Sequence, residues 1–122
     1  MPIWMYVFIG GGLGSVARWA TARWLAPTEA NAFPMGTFAA NILACLILGL
    51  LMGYHLKYPL QHQHRLLLLV GFCGGFSTFS TFSAETLNLL KSGNQLMAFS
   101  YVGLSLLIGL VAVFAGLRII ES

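Results

Sequence analysis

The sequence predicts an all-α membrane protein, a single domain of four transmembrane helices with the third helix broken. Of its 122 residues, 58% are hydrophobic and only 7% charged, with a mean hydropathy of +0.84, whereas an average soluble domain is roughly one-quarter charged. Four apolar blocks occupy 3–25, 36–56, 66–90 and 96–120. Each holds about 20 residues or slightly more, enough at about 1.5 Å per residue to span a hydrocarbon core of ~30 Å. Within the third block, GFCGGFSTFSTFSAE (71–85) alternates glycines, hydroxyls and phenylalanines. A membrane helix that breaks at such a place leaves backbone groups that only protein or a cavity can receive, which points to an ion or solute site.

The first block reads as a retained helix. It is too long for a signal peptide, holds Arg18 and Arg23, and lacks a convincing small-residue cleavage site. Its run GGGLGS (10–15) is not a nucleotide loop, because no strand precedes it and no acidic residue follows at the required distance. Arg18 lies inside the apolar block, where an unpaired cation costs at least ~2.5 kcal/mol unless it snorkels or faces a polar vestibule. Both placements stay open.

In the second block Thr37, Asn41 and Cys45 recur every four residues and share a face. The Asn41 amide suits either an interhelical hydrogen bond or a donor facing an anion. In the third, Gly74 and Gly75 mark the expected break, and beyond it Thr78, Thr81, Glu85 and Asn88 form a polar stripe. Phe79 and Phe82 lie beside that stripe. Phenylalanines at helical spacing normally pack a core, but a ring has a positive edge, and edges aimed into a narrow dry space favour an anion. In the fourth, Tyr101 and Ser105 are four apart and can continue the line of donors or serve as plain helix contacts.

The connections, 26–34 with Glu29 and Asn31, 57–65 (KYPLQHQHR) and 91–95 (KSGNQ), are short and polar. With four spans, Lys57, Arg65 and Arg118 fall on one side of the membrane, and Arg18, Arg23 and Lys91 on the other. Three cations against three give no strong orienting signal, so the chain is expected to insert both ways and pair antiparallel. Glycines four apart, at 10/14, 49/53 and 71/75, permit close helix contact. Cys45 and Cys73 read as small buried hydrophobes, and His55, His62 and His64 as solvated interfacial groups. No catalytic constellation is present, and the expectation is a protein that is not an enzyme.

The segments GGGLGSVARW (10–19), GTFAANI (36–42) and above all GFCGGFSTFSTFSAE, in that order, resemble the Fluc/CrcB family of fluoride channels. The likeness covers essentially the whole chain. It implies an antiparallel, dual-topology homodimer in the bacterial cytoplasmic (inner) membrane, embedded in the lipid bilayer and exporting fluoride passively through two pores. It further implies that Phe79 and Phe82 line the pore, that Asn41 contacts fluoride, that Thr81, Glu85, Tyr101 and Ser105 lie along or near a polar track, and that Arg18 stands at the vestibule. A structural sodium ion at the dimer centre would be held by the main-chain carbonyls of Gly74 and Ser77. Ser77 stands where the family often has threonine, an exchange that a main-chain ligand tolerates. Nucleic acid is not an expected partner. The competing reading is a small proton-coupled multidrug exporter, for which Glu85 would be the membrane-embedded carboxylate.

Overall fold

The computed structural model describes residues 1–27, 29 and 32–121; Asn31 of the first connection lies outside them, with Thr28, Ala30 and Ser122. The described chain is all helical. Helix α1 runs Ile3–Trp24 and α2 Met35–Lys57. The third rod begins with α3, His62–Arg65, continues as a π-helical run, Leu66–Cys73, and ends its first half as α4, Gly74–Phe76. After the break, α5 runs Phe79–Lys91, and α6 closes the chain at Gln95–Glu121.

Three of these rods, Met35–Lys57, His62–Lys91 and Gln95–Glu121, are long and apolar enough to cross a membrane. Helix α1 has the length, 22 residues, but Ser15, Arg18, Thr21 and Arg23 dilute its apolar character. The third rod starts earlier than its apolar block suggests, because His62–Arg65 is already helical and only 58–61 remains as the connection. At its far end, the amides of Gly93 and Asn94 donate to the carbonyls of Leu90 and Leu89. Gly93 adopts φ 87° there, the left-handed residue that closes a helix C-terminus in this bonding pattern.

Glycine sets how the rods meet. A Cβ placed on Gly71 would stand 2.9 Å from the Gly10 Cα, and one on Gly10 or Gly14 would collide with the backbone of Leu67 or Phe72. Gly49 lies equally tightly on Val113, and Gly116 on Leu46 and Leu50. The result is two close pairs, α1 with the first half of the third rod and α2 with α6. Gly36 against Ala22 joins the pairs through α1 and α2. In lipid such packing replaces the hydrophobic drive that water supplies elsewhere.

The break sits two residues beyond the expected one. Gly74 keeps helical angles, φ −64° and ψ −37°, and the chain opens at Ser77 and Thr78, both extended. Gly75 is explained by contact, since any Cβ there would strike the Gly11 carbonyl. What ends the helix is Thr78, whose hydroxyl accepts the Thr81 amide at 3.3 Å and starts α5 as an N-cap.

Candidate functional site

The break is held open by a side chain from another helix. Asn41 Oδ1 accepts the Thr78 amide at 2.8 Å, and its Nδ2 donates to the Thr78 carbonyl at 3.4 Å. In an unbroken helix the Thr78 amide would donate to the carbonyl of Gly74, four residues back. Asn41 takes that amide, and the Thr78 hydroxyl takes the Thr81 amide that would have served Ser77. The carbonyls of Gly74 and Ser77 thereby lose their helical donors. The Gly75 carbonyl, orphaned in the same way, accepts from Arg18 Nε at 3.1 Å. Arg18 is half-buried and bonded to the broken rod, so α1 supplies a second brace for the break.

Beside the break lies a cavity of about 220 Å3, lined by Asn41, Ser77, Phe79, Phe82 and Ser105 among others. Four of the residues expected along the pore, Asn41, Phe79, Phe82 and Ser105, therefore meet in one space, although they come from α2, α5 and α6. The Ser105 hydroxyl is buried there without a hydrogen-bond partner. A buried donor left unsatisfied costs about 1–3 kcal/mol, and such a group calls for a ligand or solvent. The Phe79 and Phe82 rings are 5.9 Å apart at 45°. Phe79 is 79% exposed, far too open to be a core residue of this chain.

Thr81, Glu85, Tyr101 and Arg18 do not line that cavity. Tyr101 is fully buried and donates to Glu85 Oε1 at 3.1 Å. Its ring meets Phe82 at 4.9 Å and Phe33 at 5.3 Å. Tyr101 thus joins α5 to α6 and backs the Phe82 ring, while Glu85 continues polarity along α5. Thr81 contributes its amide to the Thr78 cap. Gly74 and Ser77 border a second cavity of about 170 Å3, and Ser77 lines both.

Two residues carry more of the site than the sequence discloses. Thr78 reads as one member of a hydroxyl stripe, yet its backbone is the anchor of Asn41 and its side chain caps α5. The available signal is a Ser-Thr pair directly before a helical run, the ordinary mark of an N-cap. Cys45 lines both cavities, a place that its spacing four residues from Asn41 allows but does not specify.

Residues 5–117 match the family model described as CrcB-like protein, Camphor Resistance (CrcB). The chain belongs to the CrcB-like family. Its relatives in that family include a protein of Bacteroides fragilis, 45% identical over 115 residues that cover 92% of this chain and 91% of the relative. A Flavobacterium psychrophilum protein is 43% identical across 96% of this chain and 95% of its own length. A Pseudomonas fluorescens protein is 43% identical across 93% and 92%. All three are named fluoride-specific ion channel FluC. The CrcB-like match embraces every residue of the site described above, from Arg18 to Ser105.

Proposed function

We propose that the chain is a passive, fluoride-selective channel of the bacterial cytoplasmic (inner) membrane and not an enzyme. In this reading it exports fluoride and lowers its toxicity within the cell, and it works as an antiparallel, dual-topology homodimer with two pores. Each chain then crosses the bilayer four times, with α1 as the least apolar span. The observation that carries the reading is the cavity in which the unpartnered Ser105 hydroxyl meets Asn41, Phe79 and Phe82.

A bare anion in a medium of low dielectric is penalised by tens of kcal/mol, on the order of the Born cost, unless polar groups replace its water. Ser105 offers one uncommitted donor. Asn41 offers another, because its bond from Nδ2 to the Thr78 carbonyl, at 3.4 Å, lies beyond the ordinary range and yields readily. Its Oδ1 stays on the Thr78 amide meanwhile, so turning toward the anion leaves the break intact. The ring edges of Phe79 and Phe82 add weak positive charge with no competing affinity for water. Larger and more weakly hydrated anions gain less from close donors and meet a narrower fit.

The homodimer is supported by what the chain leaves open. Phe79 stands out of the chain and Gly74 is exposed, so a second copy could close the cavity wall and bring two sets of break carbonyls together. The main-chain carbonyls of Gly74 and Ser77, freed from helical donors, fit a structural sodium ion, a hard cation that prefers oxygen. Sodium bound there would supply positive charge at the centre of the dimer and tie its halves.

The exporter reading lacks such support. Glu85 is engaged by Tyr101 and lies outside the cavity. At about 220 Å3 that cavity is also smaller than the ~300–1,000 Å3 that a drug-sized ligand fills.

In liposomes loaded with fluoride, efflux is expected as soon as a potassium ionophore relieves the charge imbalance, with chloride nearly excluded. Absence of fluoride efflux, joined to proton-coupled uptake of a hydrophobic cation, would replace the channel with the exporter. A reporter fused to the C-terminus is expected on both faces of the membrane, and its detection on one face alone would remove dual topology.

A further inference from the structure

We infer that Cys45 and Cys73 form a two-thiolate binding site for a thiophilic divalent cation, for which the mercuric ion is the probe. These are the chain's two cysteines, and both are free thiols. They come from α2 and from the end of the π-helical run, yet both wall the cavity of about 170 Å3 whose other faces include Ala44, Leu48 and Leu69. The hydroxyl that lines this cavity, on Ser77, is already committed, since its Oγ and its amide both donate to the Cys73 carbonyl at 2.9 and 3.1 Å. The two sulfurs are therefore the soft groups offered to anything that enters.

Charge selects the ion. The side chains around the two sulfurs, Ala44, Leu48 and Leu69, are apolar and penalise net charge, and a dication held by two thiolates is neutral. A monovalent copper or silver ion held in the same way would leave one negative charge buried. Zinc is excluded on ligand number, because it takes four ligands in a structural site, and no group of three or more His, Cys, Asp or Glu could hold a metal among the described residues. Mercuric ion is satisfied by two sulfurs in line. Cys45 also borders the Ser105 cavity, and mercuric chloride is an uncharged molecule that enters membranes. On binding, two Hg–Cl bonds break and two Hg–S bonds form. The two thiol protons pass to water and two chlorides leave, with no change of oxidation state.

The test titrates the full-length protein, purified in detergent, with mercuric chloride, and counts bound mercury by elemental analysis and remaining thiols by maleimide labelling after denaturation. One mercury per chain is expected, with both thiols lost together. Cys45→Ser and Cys73→Ser should each weaken binding by roughly a hundredfold, the order expected when the second of two tethered ligands is lost. Cys45→Ala and Cys73→Ala repeat the comparison without adding a hydroxyl. Two mercury atoms per chain, one shared between two chains, or unchanged affinity in either single variant would overturn the assignment. None of these readings depends on fluoride transport.

Discussion

Phe82→Ile is expected to reduce fluoride efflux by about ten- to a hundredfold while leaving an assembled, monodisperse protein. Phe82 meets Tyr101 at 4.9 Å and Phe79 at 5.9 Å. Isoleucine keeps most of the bulk but removes both ring pairs and the aromatic ring that lines the cavity. Each aromatic pair is worth ~0.5–1.5 kcal/mol beyond its buried area, so the combined loss is about 1–3 kcal/mol. If that loss falls on the anion's passage, and each ~1.4 kcal/mol is tenfold in rate, the range above follows. Phe79→Ile removes one ring pair from a residue that is largely exposed in the single chain. Its effect on folding is the smaller of the two, and any loss of flux is correspondingly easier to assign to conduction. The check is efflux per unit of reconstituted protein, together with elution on size exclusion. Full flux from both variants would contradict an aromatic role in permeation.

The rods and their glycine contacts could be read from the chain because both follow from local composition. Apolar length fixes where a helix can cross, and Gly10, Gly14, Gly49 and Gly71 all meet backbone of a neighbouring helix, as their spacing implies. The position of the break could not be read as well. Gly74 and Gly75 look like its cause, but a glycine within a helix costs only ~1 kcal/mol relative to alanine, and Gly75 is needed for contact with Gly11. The deciding residues are Thr78, by its cap, and Asn41, by a hydrogen bond across 37 residues of sequence. No periodicity encodes a bond at that separation. The π-helical run escaped for a related reason, since LLLLVGFC has no side chain that distinguishes a π from an α turn.

Polarity within the spans divides in the same way. Spacing puts Thr81 and Glu85 on α5, with Thr78 as its cap, and Tyr101 with Ser105 on α6, but it cannot say which members are spent on one another. Glu85 and Tyr101 are joined, Thr81 serves the cap through its amide, and among the described residues the Ser105 hydroxyl is the one buried hydroxyl left without a partner. A hydrogen bond between two polar groups makes both poorer ligands. On this ground the cavity residues Asn41, Phe79, Phe82 and Ser105 are the strongest candidates for contact with a permeating anion.

Asn41 has two duties, and a pair of substitutions separates them. Asn41→Asp retains an oxygen for the Thr78 amide, now 2.8 Å from Oδ1, and so keeps the break in place. It loses the N–H donor and, when ionised, sets a negative charge beside the anion's route. A hydrogen bond to a charged group is worth ~1.5–3 kcal/mol, so loss of the donor alone predicts a drop in efflux of roughly ten- to a hundredfold. Charge repulsion drives the rate lower still. Asn41→Ala removes both ends of the amide, leaving the Thr78 N–H unsatisfied at a further cost of about 1–3 kcal/mol, so it should lose stability as well as flux. The measurement is efflux set against thermal unfolding in the same detergent. If Asn41→Asp conducts like the parent chain, Asn41 is structural glue and the anion's donors are elsewhere. If it unfolds as readily as Asn41→Ala, the Nδ2 bond to the Thr78 carbonyl carries more of the break than its length suggests.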